Sequence, residues 1–187
     1  RSAAVVYPRR AAPFPEQQAV LATVSEADFV NRPNEPGWYR VGLSYETRTY
    51  ELAGLTAPAN GPFSTSFIDT VFGNAALVPY EDIAPPPAGQ TKRRLIERVR
   101  TLYGKNDQSA PLLLGEVESL ALPYRTFKMV FTPGLLAGIY GAHVAGLPLE
   151  NILTQDGKYV LWDGVWWVPS GRQTYAAGQF YLPVRFM

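Results

Sequence analysis

Trp38-Tyr39-Arg40-Val41-Gly42-Leu43-Ser44-Tyr45-Glu46-Thr47-Arg48-Thr49-Tyr50-Glu51-Leu52 decides the fold class. β-Branched and aromatic residues dominate this stretch. On an extended chain Arg48 and Tyr50 fall on one face, and Thr47, Thr49 and Glu51 on the other. It is predicted to be a long strand. Working upstream, residues 31–37 hold Asn and Pro in a turn composition. Val20, Ala22 and Val24 alternate, which predicts a strand over residues 19–25. Residues 8–15 form a Pro- and Arg-containing connector that cannot join a central sheet, and residues 3–7 are a short apolar strand.

Downstream, residues 54–62 are loop. Ser64 offers a capping hydroxyl for a short helix over about 64–73, stopped at Gly73-Asn74. Residues 79–91 contain Pro85-Pro86-Pro87, a stiff, linker-like extended segment. Residues 93–103 are ambiguous. Leu95, Ile96, Val99, Leu102 and Tyr103 sit at helical spacing, yet the stretch also reads as a strand with Arg94, Arg98 and Arg100 toward solvent. Residues 104–111 are turn-rich, and strands are predicted over 112–122 and 125–131. Thr132-Pro133 marks the start of a second short helix, over about 133–145. Asp156-Gly157 and Asp163-Gly164 lie between short aromatic strands over 158–162 and 165–169 and carry a hairpin signal. Residues 180–186 are the last strand.

Composition agrees with a mainly β reading. Pro (17) and Gly (16) are plentiful, so elements must be short and punctuated by turns. Only 18% of residues are charged and the net charge is +1, which gives no electrostatic reason to expect nucleic acid or an anionic membrane as partner. With no cysteine and one histidine, disulfides, thiolate chemistry and cysteine-based metal sites are excluded, and no cofactor is expected. Residues 129–149 lack a formal charge, but their glycines and prolines favour a buried helix over a membrane span. The chain opens on Arg1-Ser2 and stops at Met187 within an apolar run, so residues 1–187 are expected to be a single β-rich fragment of a larger protein.

Candidate sites are few. His143 lies on an apolar stretch, and Ser170 sits in Val168-Pro169-Ser170-Gly171, which is turn chemistry and not a nucleophile elbow. Glu116 and Glu118 are spaced to share one face of a strand, but nothing marks a cleft around them. Arg93, Arg94, Arg98 and Arg100 form a basic cluster interrupted by Glu97, too weak for nucleic acid. Tyr159, Trp162, Trp166 and Trp167 are a possible sugar-stacking platform. Adjacent Trp166 and Trp167 point to opposite faces of a strand, so at least one of them is expected in the core. No catalytic residue and no metal ligand is expected.

Five segments together carry a resemblance. They are residues 39–52 as quoted; Arg94-Leu95-Ile96-Glu97-Arg98-Val99-Arg100-Thr101-Leu102-Tyr103 followed by Pro111-Leu112-Leu113-Leu114-Gly115; Leu120-Ala121-Leu122-Pro123-Tyr124; Phe131-Thr132-Pro133-Gly134-Leu135-Leu136; and Asp163-Gly164-Val165-Trp166-Trp167-Val168-Pro169-Ser170-Gly171-Arg172 leading to Phe180-Tyr181-Leu182-Pro183. In this order the chain resembles the B component of bacterial insecticidal toxin complexes, the Tc toxins, in the shell-forming region related to Rhs/YD-repeat proteins. The resemblance implies an extended, curved antiparallel sheet that is part of a hollow shell enclosing a cytotoxic effector. It also implies a secreted, extracellular protein, and as partners the toxin-carrying C component and the pore-forming A component. It implies no catalytic role for any residue here. It makes residues 93–103 a strand, against their periodicity.

Overall fold

The computed structural model describes residues 1–8, 14 and 19–187. The connector read over residues 8–15 therefore lies, apart from Pro8 and Phe14, outside the described residues. The fold is mainly antiparallel β. Among the described residues the strands are β1 (Ser2–Val6), β2 (Leu21–Arg32), β3 (Arg40–Ala53), β4 (Ala76–Val78), β5 (Lys92–Tyr103), β6 (Pro123–Phe131), β7 (Val160–Trp162), β8 (Val165–Pro169), β9 (Gln173–Ala176) and β10 (Leu182–Phe186). Hydrogen bonding links eight of them in the order β1-β2-β3-β5-β6-β8-β7, with β4 added to β5 in parallel. This order has two ends and does not close into a barrel. β9 and β10 form a separate two-stranded sheet.

The chain divides into two compact units, Arg1–Glu26 with Arg48–Glu97, and Ala27–Thr47 with Arg98–Met187. β2, β3 and β5 each contribute residues to both.

The first unit has a core of Ala22, Val24, Leu52, Ile68, Phe72 and Ala75. The alternation at Ala22 and Val24 turns both side chains to one face of β2, as the sequence predicts. Helix α1 (Thr65–Asn74) supplies Ile68 and Phe72, one turn apart and so stacked on one stripe. Ser64 caps it by accepting a hydrogen bond from the Phe67 amide at 3.2 Å. The helix runs through Gly73-Asn74 and is stopped at Ala75, which turns extended to start β4. The proline-containing stretch is held against this unit. Lys92, almost buried, donates to Asp82 Oδ1 at 3.0 Å and keeps that carboxyl below the usual carboxylate range. At Gly54 the backbone has φ +89°, and a Cβ there would lie 2.2 Å from the Gln90 carbonyl oxygen and 2.9 Å from Pro86 Cγ. Both the left-handed backbone and the backbone contact reject a side chain. Gly54→Ala is expected to lower unfolding stability by about 2–3 kcal/mol, read as a shift in the urea midpoint with an unchanged slope.

In the second unit helix α2 (Pro133–Tyr140) starts as expected. Thr132 Oγ1 accepts from the Leu135 amide at 3.1 Å, and Pro133 occupies the first turn, where no amide is needed. Its Leu136 packs with Leu153 and Trp166, flanked by Val130, Phe131, Leu149 and Tyr159.

The structure corrects several expectations. Residues 93–103 are strand, inside β5, as the resemblance implied and the periodicity did not. β2 continues past residue 25 to Arg32, so Asn31 and Arg32 are strand and not turn. Residues 112–122 are not a strand. Left-handed backbone at Gly115 (φ 82°) and Ala121 (φ 50°), with turns closed by Glu116 N to Leu113 O and Ala121 N to Glu118 O, breaks any ladder. α2 is shorter than predicted, because residues after Tyr140 pass into turns through Gly146 at φ 81°. Asp156-Gly157 does not make a hairpin. Asp156 ends a π-helical turn over Ile152–Asp156, following the short helix Leu149–Asn151, and the Gly157 amide closes it on the Ile152 carbonyl. Asp163-Gly164 does turn β7 into β8, with φ 54° and 75° at its two central residues, the left-handed pair such a tight hairpin demands. β4 and β9 were not foreseen.

Candidate functional site

The most concentrated chemistry is a set of charged and aromatic side chains in the second unit. β5 brings Arg98 and Arg100 to one face, since residues two apart on a strand share a side. Glu46, on β3, accepts at Oε1 from the Nε of both: from Arg98 in a short hydrogen bond, and from Arg100 at 3.0 Å. Arg100 Nη2 reaches Asp163 Oδ2 at 2.7 Å. Asp163 thus has two roles, turning the β7–β8 hairpin and supplying the second carboxylate. Glu46 is 6% and Arg100 4% exposed, whereas the Asp163 side chain is 55% exposed. The two guanidinium charges are matched by two carboxylates, one buried and one at the rim.

Indole rings complete the layer. The Arg100 guanidinium carbon lies 4.1 Å from the Trp162 ring centre and 4.7 Å from that of Trp167, and Arg98 sits 5.5 Å from Trp167. Trp162 and Trp167 are 5.7 Å apart and tilted, with Phe127 edge-on to Trp162. Trp167 Nε1 donates to the Trp162 carbonyl at 2.9 Å, so the fully buried indole keeps its polar handle satisfied. Nearby Tyr103 donates to the Ser44 carbonyl at 3.0 Å, and burial raises its hydroxyl above the ordinary tyrosine range. Chemically this arrangement positions and packs. It presents no nucleophile beside a base.

The four aromatics read as a platform do not share one open face. Trp167 is buried with Trp162 and the arginines, while adjacent Trp166, 7% exposed, points the other way into the core of Leu136 and Leu153, beside Tyr159. The basic cluster is also placed differently from expectation. The strand reading of the sequence turns Arg94, Arg98 and Arg100 toward solvent; in the structure each is drawn into pairing. Arg94 Nε meets Glu51 at 3.0 Å and its Nη1 meets the Tyr80 carbonyl at 2.9 Å. Arg93, on the other face, donates to the Phe72 carbonyl and lies over the Phe72 and Tyr50 rings.

Glu116 and Glu118 serve turns and do not line a strand face. Glu118 accepts from the Asn106 amide at 2.6 Å and Glu116 from that of Leu113 at 3.3 Å. His143 is exposed in the turns after α2. The Ser170 hydroxyl accepts from the Thr126 amide and donates to the Gly171 carbonyl, joining the end of β8 to β6. Among the described residues no group of three or more metal-ligating side chains converges, and no helix is long and apolar enough to cross a membrane. Sequence reasoning missed Glu46 and Asp163. Glu46 was legible as the acid in Glu46-Thr47-Arg48, but nothing local shows that two arginines more than fifty positions away will meet it.

Comparison with protein-family models and with curated protein sequences finds no match. Comparison with solved structures does. The chain is similar to part of the Photorhabdus luminescens Tc holotoxin pore, with a TM-score of 0.67 and 21% identity over 99% of this chain and 9% of that one. It is likewise similar to part of the crystal structure of TcdB2-TccC3, with a TM-score of 0.61 and 19% identity, covering 99% of this chain and 10% of that one. It is similar too to part of the crystal structure of TcdB2-TccC3 without its hypervariable C-terminal region, with a TM-score of 0.61 and 19% identity over 99% of this chain and 9% of that one. The chain spans about a tenth of the length of the structures it matches.

Proposed function

We propose that this chain is a non-catalytic wall segment of a toxin-complex shell, which encapsulates a cytotoxic effector and helps deliver it to a translocation pore in the host. The observation that supports this reading is the fold likeness to Tc toxin structures along 99% of the chain. The sheet is of a kind that suits a wall: it is open-ended, and Arg94, Arg98 and Arg100 of β5 are engaged by carboxylates on β3 and at the β7–β8 turn. On this reading the partners are a toxin-carrying C component and a pore-forming A component, and the assembly acts outside the producing cell. The division of Trp166 and Trp167 between two packed environments favours the wall over a carbohydrate platform, where coplanar exposed rings are needed.

The test is electron microscopy of the full-length parent co-expressed with its neighbouring C-type gene product. A closed hollow particle containing density for unfolded cargo is the expected result. A compact particle without a lumen would overturn the proposal.

A further inference from the structure

The β9–β10 ribbon is bonded to the rest of the second unit in an unusual way. All five residues of β10 are exposed and those of β9 are half-buried, so little apolar burial holds the ribbon down. Most of its apolar surface is open, with Leu182 at 60% and Phe186 at 64% exposure, and its apolar contact at the root is the Phe186 ring lying against Gly171. Its turn is strained, with Phe180 and Tyr181 both at φ 56°, a region that aromatic residues rarely enter. What fastens it is polar. The Gln108 side-chain amide donates from Nε2 to the Tyr175 carbonyl at 2.8 Å and accepts at Oε1 from the Tyr175 amide at 2.8 Å. One side chain therefore makes the pair of bonds that a neighbouring strand residue would make. Arg172, stacked 4.6 Å over the Tyr124 ring, donates to the Gln108 carbonyl, and Tyr175 Oη donates to the Pro123 carbonyl at 2.6 Å. Gln108 itself stands at φ 61° in the 104–111 turn, which aims its side chain at the ribbon.

We propose that residues 173–187 form a strap latched by Gln108, able to open and close as one unit while the eight-stranded sheet stays folded. A segment with few buried apolar contacts and a handful of hydrogen bonds belongs to the low-stability end of a structure. Release of the latch frees the backbone edge of β9 at Tyr175.

The experiment is hydrogen–deuterium exchange on the whole chain and on its Gln108→Asn variant. Asparagine tolerates the left-handed backbone well, so the turn is preserved while the amide, one methylene shorter, no longer reaches Tyr175. In the unaltered chain the amides bonded within the ribbon are expected to exchange together, and faster than those of β5 and β6. In the variant they are expected to exchange roughly 10-fold faster or more, the loss of two net hydrogen bonds, with β5 and β6 unchanged. Ribbon amides as slow as those of β6 in the unaltered chain would overturn the strap. An unchanged ribbon in the variant, or equal acceleration throughout the sheet, would overturn Gln108 as its latch.

Discussion

Replacing Glu46 by alanine is expected to cost about 3–5 kcal/mol of folding stability, measured as the loss in unfolding free energy from urea titration. One carboxylate oxygen serves two guanidinium groups. Arg100 is 4% exposed and the Arg98 side chain 23%. Without Glu46, Arg100 keeps Asp163 as its anionic partner among the described residues, and Arg98 loses its hydrogen bond to Glu46 while still packed against Trp167. Removing one partner of a buried pair leaves the other's desolvation uncompensated, which is why breaking such a pair costs more than the pair is worth. Glu46→Gln retains an oxygen for the Nε donors and is expected to lose less. Asp163→Asn is the contrasting case. Its carboxylate is more than half exposed, water screens the pair, and asparagine accepts the left-handed turn, so its loss is expected at about 1 kcal/mol or less. A Glu46→Ala effect no larger than that of Asp163→Asn would show that the arginines simply rehydrate.

The same network explains what the sequence revealed and what it hid. The strand over residues 38–52, the Ser64 and Thr132 caps and the Asp163-Gly164 hairpin were readable because each rests on neighbours within a few positions. Residues 93–103 show the limit of periodicity. Apolar groups at helical spacing occur there because β5 carries arginines where a two-sided strand would alternate polar with apolar, and those arginines are paired with carboxylates on β3 and at the β7–β8 turn. Residues 112–122 failed in the opposite sense. They are apolar enough for a strand, but Gly115 and Ala121 take left-handed backbone and Glu118 spends its carboxylate on the Asn106 amide. Those contacts are long-range or conformational, and no local pattern announces them. The site itself was half legible: the tryptophans, with at least one expected in the core, and the arginines were both singled out, but as separate features and not as one packed layer.

Trp167→Ala is expected to cost a further comparable amount, about 3–5 kcal/mol, because its indole is fully buried and the layer around it is charged. The cavity left behind would be bordered by Trp162 and by the two guanidinium groups that had rested on the ring. Loss of the ring removes dispersion contacts, the hydrogen bond to the Trp162 carbonyl, and the cation–π attraction to Arg98 and Arg100 together. Trp167→Phe keeps much of the ring and forfeits the hydrogen bond to the half-buried Trp162 residue, so its expected loss is smaller, about 1–3 kcal/mol. The decisive comparison is the cycle with Glu46. If Trp167 and Glu46 act through the same two arginines, the double variant will lose less than the sum of the single losses, by at least about 0.5 kcal/mol. Strict additivity would mean that the arginines are held by the carboxylate alone, and that the indoles pack beside them without sharing the load.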